Sequence, residues 1–550
     1  MYETTIGLEI HVQLKTKSKM FCSCPNVQTG INADLPCRQA GKNADQGGLL
    51  EKPNIRICPI CMGFPGVLPS PNKQAIEWTL LCGLALGCKV SSDSKFDRKS
   101  YFYPDLPKGY QISQYDLPFS KEGFLDIEVE GKIRRIKIRR VHLEEDTAKL
   151  IHPSSTDYSL VDFNRSGVPL LEIVSEPDLA SPEEARIFAQ SLQQILRYLE
   201  ISDADMEKGQ FRCDANISLK KKDEKLGIPV EIKNMNSHKA LERALEYEVK
   251  RQTEILEGGE EVRRETRGFD ESKQKTISQR GKEIAPDYRY FPEPDLPPIL
   301  VTSDKGPFGK AQGRQEARDK GQGIHLRQGY GGQAGDKKTA LFNIEDIKAS
   351  LPELPLDKKR RFISEYGLGD YDASLIASDK NLANYYEEVM SELLSWEKIV
   401  GRKDGVGFRK AAKIVANWFS GEYLRALSES GQAISSSKIT PENFAEFICL
   451  ILERTISTPL AKQIFQEMFK SGKDPSVIIQ EYGLHLVTDL QVLEKVIEEV
   501  ISKNQKAVSD YKKGKMQALK YLVGQVMRKT SGAADPKLVA EILDKRLKNL

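Results

Sequence analysis

The stretch IGLEIHVQL, residues 6–14, alternates strictly: Ile6, Leu8, Ile10, Val12 and Leu14 share one parity, and Gly7, Glu9, His11 and Gln13 the other. Only an extended strand places such a set on two clean faces, one apolar and one carrying a carboxylate and an imidazole. Same-face neighbours on a strand stand roughly 6–7 Å apart, so Glu9 and His11 are close enough to share an ion or a proton. The same pair on a solvated sheet face does nothing, and spacing alone leaves both readings open.

Alternation recurs at 124–130, 133–143, 211–219 and 228–233, so residues 1 to about 300 read as an α+β unit. In IRRIKIRRVHL the apolar parity shifts between Ile138 and Val141, which predicts a β-bulge that re-aims the following acidic end, His142, Glu144, Glu145 and Asp146. In FRCDANISL, Arg212, Asp214, Asn216 and Ser218 take the polar side, and Glu231 and Lys233 share the polar side of PVEIKNMN. Between the strands, Ser181 followed by Pro182 and Glu184 marks one helix start, and NMNS before residues 237–256 marks another. From about 343 the chain is nearly all helix. Residues 339–405 and 406–550 read as two helical domains, the second with a basic, amphipathic end. Residues 303–338, rich in Gly, Gln and basic residues with almost no aliphatics, read as a flexible, low-complexity insertion.

Charge is balanced: 82 Lys+Arg against 79 Asp+Glu leave +3, so a nucleic-acid partner would be met by a local basic patch. No apolar run reaches the roughly 18–20 residues of a membrane helix, and no secretory signal opens the chain, which makes the cytoplasm the expected compartment, with no membrane partner. There the nine cysteines serve as thiols or ligands. Cys22 and Cys24 in FCSCP and Cys58 and Cys61 in ICPICMG form two short knuckles suited to a four-thiolate structural zinc, against free thiols or a redox pair; Cys37 lies between them as a competitor. Cys82, Cys88, Cys213 and Cys449 sit among apolar residues as core fillers. Carboxylates and a histidine gathered from several strands suit Mg²⁺, which prefers oxygen ligands and keeps waters. Arg165 precedes a Ser-Gly turn, and the Pro-fixed stretches 98–118 and 287–298 mix Arg98, Lys99, Lys108 and Arg289 with tyrosines, a combination suited to stacking on bases. No Walker A motif and no Gly-rich kinase loop is present, so an ATP user here needs another architecture.

Seven segments in order, IGLEIHVQL, CPICMGFPGVLP, KSYFYPDLPKGYQISQYD, LVDFNRSGVPLLEIVSEPD, FRCDANISL, EIKNMNS and DYRYFPEPDLPP, resemble the GatB family of tRNA-dependent amidotransferase components. The resemblance covers nearly the whole chain except 303–338 and part of 27–54, and the 406–550 region is similar to the family's YqeY-like tail. It implies an α+β cradle domain over 1–302, with a mixed or antiparallel sheet and a zinc knuckle at 22–61, ahead of the helical domains. It implies ATP- and Mg²⁺-dependent phosphorylation of the side-chain carboxylate of Glu-tRNA(Gln) or Asp-tRNA(Asn). Ammonia from a glutaminase A subunit of the amidase family then displaces phosphate, with a small C subunit completing a heterotrimer. Carried onto this sequence, the Mg²⁺ ligands are Glu9, His11 and Glu144. Glu145, Asp214, Glu231 and Asn216 join as further ATP or metal contacts, Arg165 and Lys233 offset phosphoryl charge, and Cys22, Cys24, Cys58 and Cys61 hold zinc. A tRNA-binding scaffold without chemistry is the alternative.

Overall fold

The computed structural model describes residues 2–26, 52–153, 157–221, 226–281, 288–302, 342–396, 405–483, 490–530, 534 and 536–548. Cys37 and the insertion 303–338 lie outside the described residues. Two compact units divide the chain at Leu354/Pro355.

The first unit is built on a nine-stranded sheet. In chain order its strands are β1 (Tyr2–Gln13), β2 (Lys89–Val90), β3 (Ser120–Val129), β4 (Lys132–Glu145), β5 (Pro169–Ser175), β6 (Phe211–Lys221), β7 (Val230–Lys233), β8 (Glu265–Asp270) and β9 (Lys275–Gly281). Their spatial order is β9-β8-β7-β6-β1-β5-β4-β3-β2, antiparallel except for the parallel pair β7–β8. Ile6, Leu8, Ile10 and Val12 of β1 are fully buried, and they share one apolar core with Ile76 and Leu80 of helix α1 (Lys73–Ala85), Phe188, Leu192 and Leu196 of α2 (Pro182–Tyr198), and Leu241 and Leu245 of α3 (His238–Glu257). One sheet face is thus closed by helices, and the polar parity of every central strand is left for the other. The helices begin where their caps direct: Ser181 Oγ accepts from Glu184 N at 3.1 Å and Ser237 Oγ from Ala240 N at 3.1 Å.

The parity shift in β4 is a bulge. Opposite consecutive Val174 and Ser175 of β5 stand Arg140 and Ile138, with Arg139 as the extra residue. Ile136 and Ile138 before it, and Val141 and Leu143 after it, all face the core. Had the alternation run unbroken through Arg139, with no bulge, His142 and Glu144 would face the core.

Residues 342–354 join the first unit. Phe342–Asn343 pairs with Ile299–Thr302, and Ile344, Ile347, Leu351 and Leu354, in and after α4 (Ile344–Ala349), pack on the core of the first unit. In the second unit one core joins Phe362, Tyr386 and Leu393 to Phe408, Phe419, Phe444 and Ile479. A separate small core gathers residues such as Leu493, Leu522 and Leu543. The short helices between 355 and 396 cannot cover their apolar faces alone, and residues after 405 complete the larger core.

Candidate functional site

Strand register builds the site. His11 stands opposite Arg212 on one side and Glu172 on the other, and Glu172 opposite His142, giving one polar row across β6, β1, β5 and β4. In the next row Glu9 pairs with Asp214. His11 Nε2 lies 3.4 Å from Glu172 Oε2, 3.6 Å from Glu9 Oε1 and 3.9 Å from Glu144 Oε1; His142 Nε2 lies 3.3 Å from the same Glu172 oxygen. Lys233 bonds Asp214 and stands 3.4 Å from Glu231.

These side chains floor a cavity of about 540 Å³ whose walls carry Lys99, Arg140 and Arg212 and the rings of Tyr101, Tyr288 and Tyr290. Tyr288 packs edge-on to both other rings, and Lys99 Nζ sits 5.0 Å from its centroid. Arg212 is anchored from behind by the buried Asp146, 2.9 Å away, which also accepts from Gln13 at 2.6 Å.

The charges in this cleft are strongly interdependent. Burial opposes protonation of His11, but its bond to Glu172 and the charges of Glu172, Glu144 and Glu9 outweigh it and push the imidazole up to about 9. Burial likewise works against the Glu172 carboxylate, yet His142 and His11 hold it well below the usual range. Glu9 is raised by burial and by Glu172. Lys99 and Lys233 lose solvation, but the surrounding carboxylates more than offset that and keep both charged.

The donor set fits a divalent cation. Ligand atoms of Glu9, His11 and Glu172 fall within 4.8 Å of one another, as do those of His142, Glu144 and Glu172. Glu144 Oε2 and His142 Nδ1 are buried with no hydrogen-bond partner among the described residues. A buried acceptor left bare is costly, and a cation removes that cost.

Of the residues read from sequence, Glu9, His11, Glu144, Asp214, Glu231 and Lys233 meet in this cavity. Three do not line it. Glu145 has the opposite parity to Glu144: it pairs with Lys108, accepts from Ile112 N at 3.0 Å and lines a second cavity of about 210 Å³ beside the cysteines. Arg165 donates to the carbonyls of Thr147 and Ala148, at 2.9 and 2.7 Å, with Nε 3.7 Å from Asp146 Oδ2, and thereby holds the turn after β4. Asn216, two residues beyond Asp214, is exposed and outside the cavity lining. Sequence reading missed Glu172, Arg140 and Arg212 as site residues and gave His142 no role. The overlooked signal is a lone glutamate inside the apolar run PLLEIV.

The four knuckle cysteines converge, with all four Sγ atoms within 4.8 Å of one another. After β1 the chain folds back as a short ribbon, with Lys19 N bonded to Cys24 O at 2.9 Å and Asn26 N to Lys17 O at 3.0 Å. The second knuckle is a tight turn whose Cys58 N donates to Cys61 Sγ at 3.2 Å. Tetrahedral thiolate ligation of zinc, with bonds near 2.3 Å, requires sulfur–sulfur edges of about 3.8 Å, which this packing accommodates. Hydrogen bonds among the thiols raise Cys22 and Cys24 and lower Cys58 and Cys61.

A family described as the GatB/GatE catalytic domain matches residues 4–305, which contain both clusters, and a second described as the GatB domain matches residues 403–547. The chain belongs to the GatB family. The B subunit of the aspartyl/glutamyl-tRNA(Asn/Gln) amidotransferase of Carboxydothermus hydrogenoformans is 46% identical, covering 100% of this chain and 99% of its own length. Its counterparts of the same name from Thermotoga maritima and Dehalococcoides mccartyi are 44% and 43% identical, each covering 99% of both chains. As a GatB-family component of an amidotransferase, the chain falls in the carbon–nitrogen ligase class. Among the described residues no helix is long and apolar enough to cross a membrane.

Proposed function

We propose that this GatB-family chain activates the side-chain carboxylate of Glu-tRNA(Gln) or Asp-tRNA(Asn) with ATP and converts it to the amide. A carboxylate oxygen attacks the γ-phosphorus as the bond to ADP breaks. Ammonia nitrogen then attacks the acyl carbon, phosphate leaves, and the nitrogen sheds a proton. The observation that carries this reading is the row of carboxylates and imidazoles flooring a cavity rimmed by cations and tyrosines. Phosphoryl transfer needs that combination, because its transition state spreads negative charge over oxygens that positive groups must meet.

Glu9, His11 and Glu144, with Glu172 and His142, would hold Mg²⁺, which when bound would supply positive charge against the phosphates. Lys99, Arg140 and Arg212 face the same space and offset the remaining charge, while Lys233 stays fixed by Asp214 and Glu231. Tyr101, Tyr288 and Tyr290 offer faces for a base. The surrounding carboxylates favour the protonated form of His11, so a bound ion would compete with that proton. Cys22, Cys24, Cys58 and Cys61 would close around zinc, leaving no open position for chemistry. Domain 1–302 would receive the aminoacylated end and the 406–550 tail the body of the tRNA. Ammonia would come from a glutaminase A subunit, with a small C subunit in the complex, and the chain would work in the cytoplasm.

The test is ADP release dependent on misacylated tRNA, with ammonium supplied so that no glutaminase is needed. Glu9→Ala and His11→Ala should abolish it while tRNA binding and fold persist. Wild-type chain in its complex that binds tRNA yet never releases ADP or forms product would establish the scaffold reading instead.

A further inference from the structure

Lys19 is among the largest fully buried side chains, 1% exposed. Its ammonium donates to Arg56 O at 2.8 Å and Phe163 O at 3.3 Å, and its third direction meets Cys61 Sγ at 3.8 Å. Among the described residues no carboxylate comes within ion-pair distance of it. Glu145, across Gly167 from Lys19, is committed to Lys108. A buried ammonium whose partners are two carbonyls and one sulfur lacks an anion, and desolvating it uncompensated costs several kcal/mol. Four thiolates around one dication carry a net charge of two minus, which is equally costly when Cys22, Cys24 and Cys61 are buried.

Each charge is the natural remedy for the other. Resting on the zinc reading of the cysteine cluster, we propose that Lys19 is the counter-charge of the metal-loaded site. Its N–H group, directed at Cys61, lowers the electron density on that sulfur and shields it from electrophiles. The backbone is laid out for this contact: Lys19 N is tied to Cys24 O, so one residue links both knuckles, its main chain to one and its ammonium to the other. Gly167, at φ +83° where a residue with a Cβ is strained, sets the 163–168 turn alongside Lys19 and Cys61, its carbonyl accepting from Met20 N at 2.7 Å.

The experiment compares wild type with Lys19→Met and Lys19→Arg as full-length chains. Zinc content is measured by mass spectrometry, and zinc release to a chromogenic chelator is followed during challenge with N-ethylmaleimide. Residues that support ligands typically change metal affinity about 10–100-fold, and Lys19→Met is expected to release zinc at least about tenfold faster, with Lys19→Arg close to wild type. In cobalt-loaded protein the sulfur-to-metal charge-transfer band should move to lower energy in Lys19→Met, a signature that mere loss of packing does not produce. Lys19→Gln, which keeps an amide donor without charge, gives the same readings if the Met variant is insoluble. Equal release from wild type and the uncharged variants overturns the proposal, as does Lys19→Arg behaving like Lys19→Met. Zinc-free wild type with four free thiols overturns the zinc reading itself and the proposal with it, leaving the reading of the ATP site untouched.

Discussion

The molecule carries two clusters able to hold a metal, and they are built on opposite terms. The four cysteines close on one point from two knuckles, are largely buried and offer four equivalent donors. The acid–imidazole row opens on a cavity, mixes donor types, shares Glu172 between two triads and leaves Glu144 Oε2 and His142 Nδ1 bare. That contrast supports the proposed division of roles, since a saturated site would hold backbone together and an unsaturated one beside open space can take a substrate.

The sharpest way to break the comparison is to remove one donor from each cluster. Glu144→Gln should lower tRNA-dependent ADP release by at least about 100-fold, since a misplaced metal forfeits several kcal/mol of charge stabilisation. It should leave zinc content and thermal midpoint near wild type. Cys61→Ser should do the reverse, losing zinc and destabilising the fold by several kcal/mol, because binding energy at a structural site is folding energy. Its midpoint should rise little on adding zinc, and its remaining folded fraction should retain most ADP release. If Cys61→Ser abolishes chemistry while staying folded, the division of roles fails.

The acid–imidazole row has its own pH dependence. His11 has its folded value raised from an ordinary 6.5 to about 9, so the stability its protonated form contributes is fully present below about 6.5 and is lost as pH rises through about 9. A cation on the acid–imidazole row must expel that proton. Its affinity should therefore rise with pH towards 9, by at most about tenfold per unit, with proton release visible as buffer-dependent binding heat. Heat independent of buffer at a pH of about 7.5 would contradict the assignment of His11 as a ligand. The smallest effect is expected at Arg165. Arg165→Ala removes two bonds that hold the 147–148 turn, costing about 1–3 kcal/mol of stability by denaturant titration, with KM for ATP little changed. A large rise in KM would return Arg165 to the phosphate site.

Much of this was legible from side-chain period. Glu9 and His11 could be assigned to one face because a strand repeats every two residues, and the β4 bulge showed itself as a broken parity. Beyond the bulge, Glu144 and Glu145 face opposite ways. Reading them as one acidic group ignored that adjacent strand residues never share a face, and the second therefore serves the cavity beside the cysteines. Glu172 was hidden because PLLEIV reads as an apolar run on both parities, and its one charged residue looks incidental until its neighbours are known.

By itself the sequence determined the amphipathic strands, the capped helices and the two cysteine knuckles, all of them local patterns set by backbone geometry within a few residues. Only the tertiary structure decided that β5 lies between β1 and β4, bringing Glu172 to both histidines, and that Asp146 reaches Arg212 from behind. It also moved the unit boundary to 354/355, where the apolar surface of residues 342–354 finds the first core. These outcomes depend on which distant surfaces bury each other most completely, a sum over the whole chain that no short window contains.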